Sequence, residues 1–379
     1  MAKILVAGDF CPAGRPEPVL LDWESAGIWE DIARETSSHD LRIVNLESPL
    51  TRSKTPLVKS GPHLSANPGC AKAIRGANFD LVTLANNHIM DMGGSGLKET
   101  MEACRSAGLR TVGAGDNLAE AAQPVYADVN GLRIAVLAIT EHEHSIATER
   151  RAGACPLEPM DNYSQIGEAR EQSGFVLVVL HGGNEYYPLP SPRVVRTCRF
   201  LVDAGANAVV CHHTHVSSGI EIYHDAPIIY STGNFLFGAS GTAAPEWFEG
   251  YLVSISIRPG GATGLRLIPY RQCLEGVGVR LMDEDESRSF LGEISRLSGI
   301  ISESDALLLQ WSRFCASRRE DYVSHVLALS RVERKLCKMT GIWPFWRMNR
   351  KDIPVLLDMF QCESHRDVCI EILASGRAE

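Results

Sequence analysis

Short apolar runs that each lead into a polar cluster dominate the N-terminal part of this chain. Lys3 to Ala7, Leu41 to Leu46 and Asp80 to Ala85 read as strands of one sheet. Leu97 to Ala107 carries the apolar spacing of an amphipathic helix, with Gly108 as its stop. Val125 to Val129 and Leu132 to Ile139 flank Asn130-Gly131, a dipeptide suited to a type I′ turn, and so predict a hairpin. Phe175 to Leu180, Ala208 to Cys211, Gly219 to Tyr223 and Ile228 to Tyr230 add four strands, the last two joined through His224-Asp225-Ala226-Pro227. Tyr251 to Ile257 and Leu265 to Pro269 complete the β-rich part. Strands in this number, interleaved with helices, predict an α/β fold of two packed sheets with helices outside.

The pattern changes near residue 276. From Asp283 onward the spacing is helical, with helices expected near Glu286 to Leu297, Ser304 to Cys315, Arg319 to Lys338 and Ile353 to Phe360. The expected division is therefore a main domain over 1–275 and a helical C-terminal region over 276–379. Between Arg331 and Lys351 stand seven basic residues against one acidic residue, Glu333, together with Trp343, Phe345 and Trp346. Either the aromatics pack this stretch onto the main domain while its charges face water, or 331–351 is a docking surface for a protein partner or an anionic membrane or polymer.

Composition narrows the class. With 45% apolar and 22% charged residues over 379 positions, the chain resembles an ordinary globular enzyme large enough to bury a core without staples. A net charge of -9 argues against nucleic acid as a partner. Eleven cysteines, an odd number without a Cys-x-x-Cys pair, and a start at Met1-Ala2-Lys3-Ile4 that lacks a long apolar stretch predict reduced thiols and a cytoplasmic protein. Apolar runs such as Phe175 to Leu180 fall far short of the ~20 residues of a membrane-spanning helix, so no transmembrane segment is expected.

Five segments at the ends of these runs carry the chemistry, where open α/β sheets place their ligands. Asp9 follows the first strand and Glu47 the second; two carboxylates meeting at one sheet edge would repel unless a cation lay between them. Asn87 and His88 end the third, offering an amide oxygen and a proton donor, and Asp91 is close enough to hold the imidazole if the chain turns. His181 terminates a run buried on both faces, followed by Gly182-Gly183, which clears space, and Glu185, an acceptor beside the site or toward substrate. In extended backbone His213 and His215 share a face and can aim at adjacent metals, while His212 points the other way, as a candidate to contact substrate or to orient a ligand from behind. If the segments converge, Asp9, Glu47, Asn87, His181, His213 and His215 supply six ligands for two divalent ions of the Mn, Zn or Fe type, Glu47 bridging, with His88 and Asp91 as the acid pair. Glu141-His142-Glu143-His144 reads as a solvated loop in preference to a substrate-side or accessory metal cluster.

These segments, with Asn45-Leu46-Glu47-Ser48-Pro49, Leu84-Ala85-Asn86-Asn87-His88 and Tyr230-Ser231-Thr232-Gly233-Asn234-Phe235, resemble the bacterial capsule and poly-gamma-glutamate biosynthesis family (CapA-like), which is related to the calcineurin-like metallophosphoesterases. The likeness covers roughly residues 3 to 257. It implies a four-layer α-β-β-α sandwich with a two-metal centre at the sheet edge, and it implies that Asn234 lies at the site, on the substrate side. Two departures stand out. Ordinary metallophosphoesterases carry a histidine two residues after the first aspartate, where this chain has Cys11, so either Cys11 ligates as a thiolate or Asp9, Glu47 and His215 hold that metal more weakly. Capsule proteins of the family are commonly anchored to membranes at the N-terminus, whereas this sequence starts directly with a strand. The expected function is a metal-dependent hydrolase of a small-molecule or polymeric phosphomonoester or phosphodiester in capsule, surface-polymer or related biosynthesis. The alternatives are a non-hydrolytic accessory protein of a polymer-synthesis complex and a metal-dependent amide hydrolase.

Overall fold

Two sheets lie face to face at the middle of the computed structural model, which describes residues 1–238, 244–258, 263–272, 276–326, 331–340 and 353–375. In chain order the strands are β1 (Ala2–Cys11), β2 (Leu41–Leu46), β3 (Leu81–Thr83), β4 (Arg110–Val112), β5 (Ala114–Gly115), β6 (Val125–Val129), β7 (Leu132–Thr140) and β8 (Gly153–Ala154). They continue as β9 (Phe175–His181), β10 (Ala208–His212), β11 (Ile220–Tyr223), β12 (Ala226–Ile229), β13 (Asn234–Phe237), β14 (Glu249–Ile257), β15 (Thr263–Gln272) and β16 (Val279–Leu281). The first sheet runs β16-β15-β14-β1-β2-β3-β4, with β13 also paired to β1; the second runs β11-β12-β10-β9-β7-β6.

The helices α1 (Glu17–Leu21), α2 (Trp23–Ala26), α3 (Glu30–Thr36), α4 (Cys70–Gly76), α5 (Gly93–Ser106), α6 (Leu118–Ala121), α7 (Pro159–Gln172) and α8 (Pro192–Asp203) precede the C-terminal set. That set is α9 (Glu284–Ser302), α10 (Ser304–Val326), α11 (Arg331–Thr340), α12 (Ile353–Gln361) and α13 (Glu363–Ser375). Helices α3 and α5 contact the first sheet, and α7 and α8 cover the second, which makes the four-layer sandwich. Every residue of β9 is buried, as expected for a parallel central strand covered on both faces.

Local chemistry explains most boundaries. Asn130 and Gly131 both adopt positive φ, at 49° and 79°, and turn β6 into β7. His224 and Asp225 do the same at 47° and 62°, so the β11–β12 hairpin closes over two residues and Ala226-Pro227 belong to the returning strand. Helix α5 begins at Gly93, four residues before the apolar spacing starts, and its exit passes through Gly108 at φ 77°. Strand β13 lies in a segment read above only as a motif; it is legible as a strand once paired with β1.

In the C-terminal region, helix α9 opens with a capping box between Asp283 and Glu286. The long helix expected over Arg319 to Lys338 falls instead on the end of α10 and on α11. Residues 341–352, including Trp343, Phe345 and Trp346, lie outside the described residues, as does 327–330. Among the described residues no helix is long and apolar enough to cross a membrane.

Candidate metal centre

Asp9 sits within β1, not beyond it, at a break in register where β1 pairs with β2 on one side and β13 on the other. Gly8 is needed there because a Cβ would lie 1.9 Å from the Gly233 carbonyl oxygen. What approaches Gly8 closely is thus the neighbouring strand, which brings Asn234 into the site. Glu47 follows β2 directly, with its amide bonded to the Phe10 carbonyl at 2.9 Å. His181 is the last residue of β9, and the loop after β10 carries His213 and His215. That loop is not extended: His213 has φ 96° and His215 φ 59°, so the two imidazoles meet the site through a strained turn and not by strand alternation.

Two ligand groups result. Asp9, Glu47 and His215 form one and Glu47, His181 and His213 the other, each with its ligand atoms within 4.8 Å of one another, and all five residues are buried. Glu47 belongs to both. Its Oε1 lies 3.5 Å from His181 Nε2 and 3.8 Å from His215 Nε2. Asn87 Oδ1 stands 3.1 Å from His181 Nε2, on the second group. The six residues singled out as ligands are therefore together at one end of the two sheets.

The electrostatics suit the binding of positive charge. Both Glu47 carboxylate oxygens are buried without a hydrogen-bond partner, a costly arrangement unless a charge completes it. Burial raises the Asp9 carboxyl, with Glu47 adding to the effect, and burial likewise raises Glu47. Burial lowers His181 to about 3 and pushes His213 down as well, which keeps both imidazoles in the neutral, ligating form. At His215 burial is outweighed by the carboxylates of Glu47, Glu185 and Asp9, so its value rises.

Other polar groups orient these ligands. Asn45 Nδ2 donates to Asp9 Oδ1 at 2.7 Å and lies 3.2 Å from His181 Nδ1. Asn234 Oδ1 is 2.9 Å from His215 Nδ1 and its residue is wholly buried, so it holds the imidazole from behind. His212 is also buried, between Thr232 Oγ1 at 3.1 Å and Asp9 Oδ1 at 3.7 Å, and burial lowers it to about 4. Neither position suits contact with a substrate; both suit alignment of Asp9 and His215. Glu185 lines a cavity beside the centre, where burial would raise its carboxyl but His215 and His213 hold it below the usual range.

His88 Nδ1 meets Asp91 Oδ2 at 2.7 Å. Lys59, in the loop after β2, pairs with Asp91 and lies 3.2 Å from the same imidazole nitrogen. Sequence reasoning passed over Lys59 because nothing around it has a pattern. Asn45 was recoverable, since it shares a strand face with Glu47 two residues on. Cys11 is buried and outside both ligand groups, and burial pushes its thiol up, away from the thiolate.

Two further expectations differ from the structure. Gly182 clears space for protein and not for a ligand, since a Cβ there would meet Glu141 Cγ at 2.6 Å, whereas Gly183 does line the cavity beside the centre. Nor is Glu141-His142-Glu143-His144 a solvated loop. Glu141 is 2% exposed and pairs with Arg193 at 2.5 Å, His142 pairs with Glu363 at 2.7 Å, and His144 lies 3.7 Å from Asp358. This strip is where helices α12 and α13 dock.

On its other flank the centre borders a wider cleft of about 920 Å³. His215 packs there against Trp247 and Phe237, each with ring centroids 5.0 Å away, and Tyr186 stacks on Trp247 at 5.8 Å.

The family model described as "Bacterial capsule synthesis protein PGA_cap" matches residues 3–239. The capsule biosynthesis protein CapA of Bacillus anthracis is 37% identical over 213 residues, which cover 55% of this chain and 51% of that one. A "Probable polyglutamine synthesis accessory protein" of Mycobacterium tuberculosis (strain ATCC 25618 / H37Rv) is 26% identical over 312 residues, 77% of this chain and 82% of that one. The match thus spans about half the length of the Bacillus relative. The crystal structure of TT1561 of Thermus thermophilus aligns with a TM-score of 0.39 at 10% identity, covering 66% of this chain and 93% of that one.

Proposed function

The chain belongs to the bacterial capsule synthesis protein family, and on that premise we propose that it is a metal-dependent hydrolase of phosphomonoesters or phosphodiesters serving the synthesis of a capsule or related surface polymer. The observation that supports this most is Glu47, shared by two ligand groups and left with both oxygens unpaired in a buried site. Divalent ions held by Asp9, Glu47 and His215 and by Glu47, His181, His213 and Asn87 would supply Lewis acidity toward water and toward a phosphoryl oxygen. Asn45, Asn234 and His212 keep those side chains in place. His88 is the proton donor to the leaving oxygen: its Nδ1 is taken up by Asp91, which fixes the ring and leaves Nε2 for the transfer.

Metal content and turnover of p-nitrophenyl phosphate and bis-p-nitrophenyl phosphate with added Mn test the reading. His88→Ala should lower kcat by about 10²–10⁴-fold with metal content unchanged. No turnover of either ester by metal-loaded protein sinks it.

A non-hydrolytic accessory role in polymer synthesis is the second reading. It is favoured by Cys11, which stands where ordinary metallophosphoesterases place a histidine and whose buried thiol is poorly disposed to ligate. Full metal occupancy without turnover, together with recovery of a partner protein that depends on 331–351, selects it.

A further inference from the structure

Between the metal centre and the C-terminal helices lies a cavity of about 220 Å³. His88 and His213 form its inner wall, and Arg318 and Tyr322 of α10, Asp358 of α12 and His365 of α13 form its outer wall. The outer wall is firmly attached. Arg193 joins Glu141 and Asp367 at 2.5 and 2.6 Å, and Ser364 donates to Glu141 at 2.6 Å.

Two residues that line this cavity are more than nine-tenths buried and incompletely bonded. Asn184 is 7% exposed and Asp358 8%, and the Oδ1 atom of each is buried without a hydrogen-bond partner. Both are fixed through their other polar atom: Asn184 Nδ2 donates to the Ser364 carbonyl at 3.3 Å, and Asp358 Oδ2 accepts from the Ser60 hydroxyl at 3.2 Å. The imidazoles beside Asp358 are both beyond hydrogen-bond range, His144 Nε2 at 3.7 Å from Oδ1 and His365 Nε2 at 3.7 Å from Oδ2. Glu143 and Glu185 add two further carboxylates to the lining. Of the cations, Lys59 is engaged by Asp91, while Arg318 lies over the Phe314 ring at 5.7 Å and 3.9 Å from Asp321.

We infer that this cavity is a subsite for a small hydrogen-bond-donating part of the substrate, an amine- or hydroxyl-bearing group, read by Asp358 and Asn184. Buried acceptors without donors are unfavourable, and an entering ammonium or hydroxyl supplies what they lack. A second anionic group would meet the carboxylates of Asp358 and Glu185 instead. The volume falls below the ~300–1,000 Å³ usual for drug-sized ligands, so a polymer could enter only by its end. The inference rests on the proposed function in taking this side of the centre as the one substrate occupies.

Three phosphonates that resist hydrolysis isolate the subsite: 2-aminoethylphosphonate, 2-hydroxyethylphosphonate and 2-carboxyethylphosphonate, titrated into the metal-loaded full chain and followed by NMR. The amine and the alcohol should each bind at least about tenfold more tightly than the carboxylate, and Asp358→Asn should erase most of the amine's advantage. Glu185→Gln, on the inner side, gives the same reading should Asp358→Asn fold poorly. Equal affinities, a preference for the carboxylate, no binding of any of the three, or a preference unchanged in both variants overturns the inference. Hydrolysis of p-nitrophenyl phosphate is followed in parallel: its absence alongside a kept amine preference removes the hydrolase reading and leaves the subsite, and its presence with no such preference does the reverse.

Discussion

The sheet edge and the C-terminal helices face each other across one cavity, but they hold their charged residues in place by different means. At the edge, Asp9, Glu47 and His181 lie in or directly after three strands whose parallel register is set by backbone pairing. Their carboxylates are left without compensating cationic side chains at hydrogen-bond distance, and the structure tolerates that. In the helical region the charges that fasten the interface have counterparts: Glu141 with Arg193, Asp367 with the same guanidinium, Glu363 with His142. The first region leaves its buried charge open, and the second cancels that of its fastening residues internally. The difference separates a site with uncompensated buried carboxylate oxygens from the helices that wall the space beside it.

Glu47→Gln gives the largest effect. It should weaken metal binding by more than the roughly 100-fold typical of residues behind the ligands, seen by calorimetric titration of Mn. The same substitution should stabilise the metal-free protein, by about 0.5–2 kcal/mol in urea unfolding, because Gln carries no proton that the folded state must retain against ionisation in the unfolded chain. The pH dependence has a definite sign. Burial raises the Glu47 carboxyl above its ordinary 4.5, so above that pH the folded metal-free protein retains a proton the unfolded chain has lost. Stability then falls as pH rises through the raised folded value. The variant's advantage should accordingly be small near pH 4.5 and grow toward neutrality. A gap that shrinks as pH rises would mean that Glu47 is already compensated.

Arg193→Ala tests the opposite region. It strands Glu141 and Asp367 in the interface and should cost about 3–5 kcal/mol, with hydrogen exchange in α13 rising while Mn stoichiometry at the sheet edge is kept. Loss of metal together with exchange protection would show that the regions are not separable. Asn45→Ala is milder: metal affinity should fall by about 10–100-fold because Asp9 loses its orienting amide. Smallest is Tyr322→Phe, which removes the 2.7 Å contact to His365 and should lower stability by about 0.5–1.5 kcal/mol without altering metal binding.

How much could be read in advance also differs between the regions. β2 spans Leu41–Leu46, and the Asn130-Gly131 hairpin closes as its dipeptide requires, because burial and turn preference act over a few neighbouring residues. Asp9, Glu47, Asn87, His181, His213 and His215 were visible because each ends or follows an apolar run. The backbone of His213 and His215 was not: positive φ in a histidine is imposed by packing around the loop, and no local preference announces it. Glu141 to His144 looked solvated because its partners, Arg193, Glu363 and Asp358, are 52 to 221 residues distant in sequence. Lys59 was invisible for the same reason.

Sequence alone determined the alternation of strands and helices, the ligand types and their order along the chain, since these depend on side-chain chemistry and short-range periodicity. Tertiary structure decided which oxygens remain unpaired, that Asn234 and His212 stand behind the ligands, and that helices from the other end of the chain wall the cavity. Those outcomes depend on which distant segments come within a few ångströms of one another, and desolvation and charge pairing are properties of that proximity and not of any one stretch of residues.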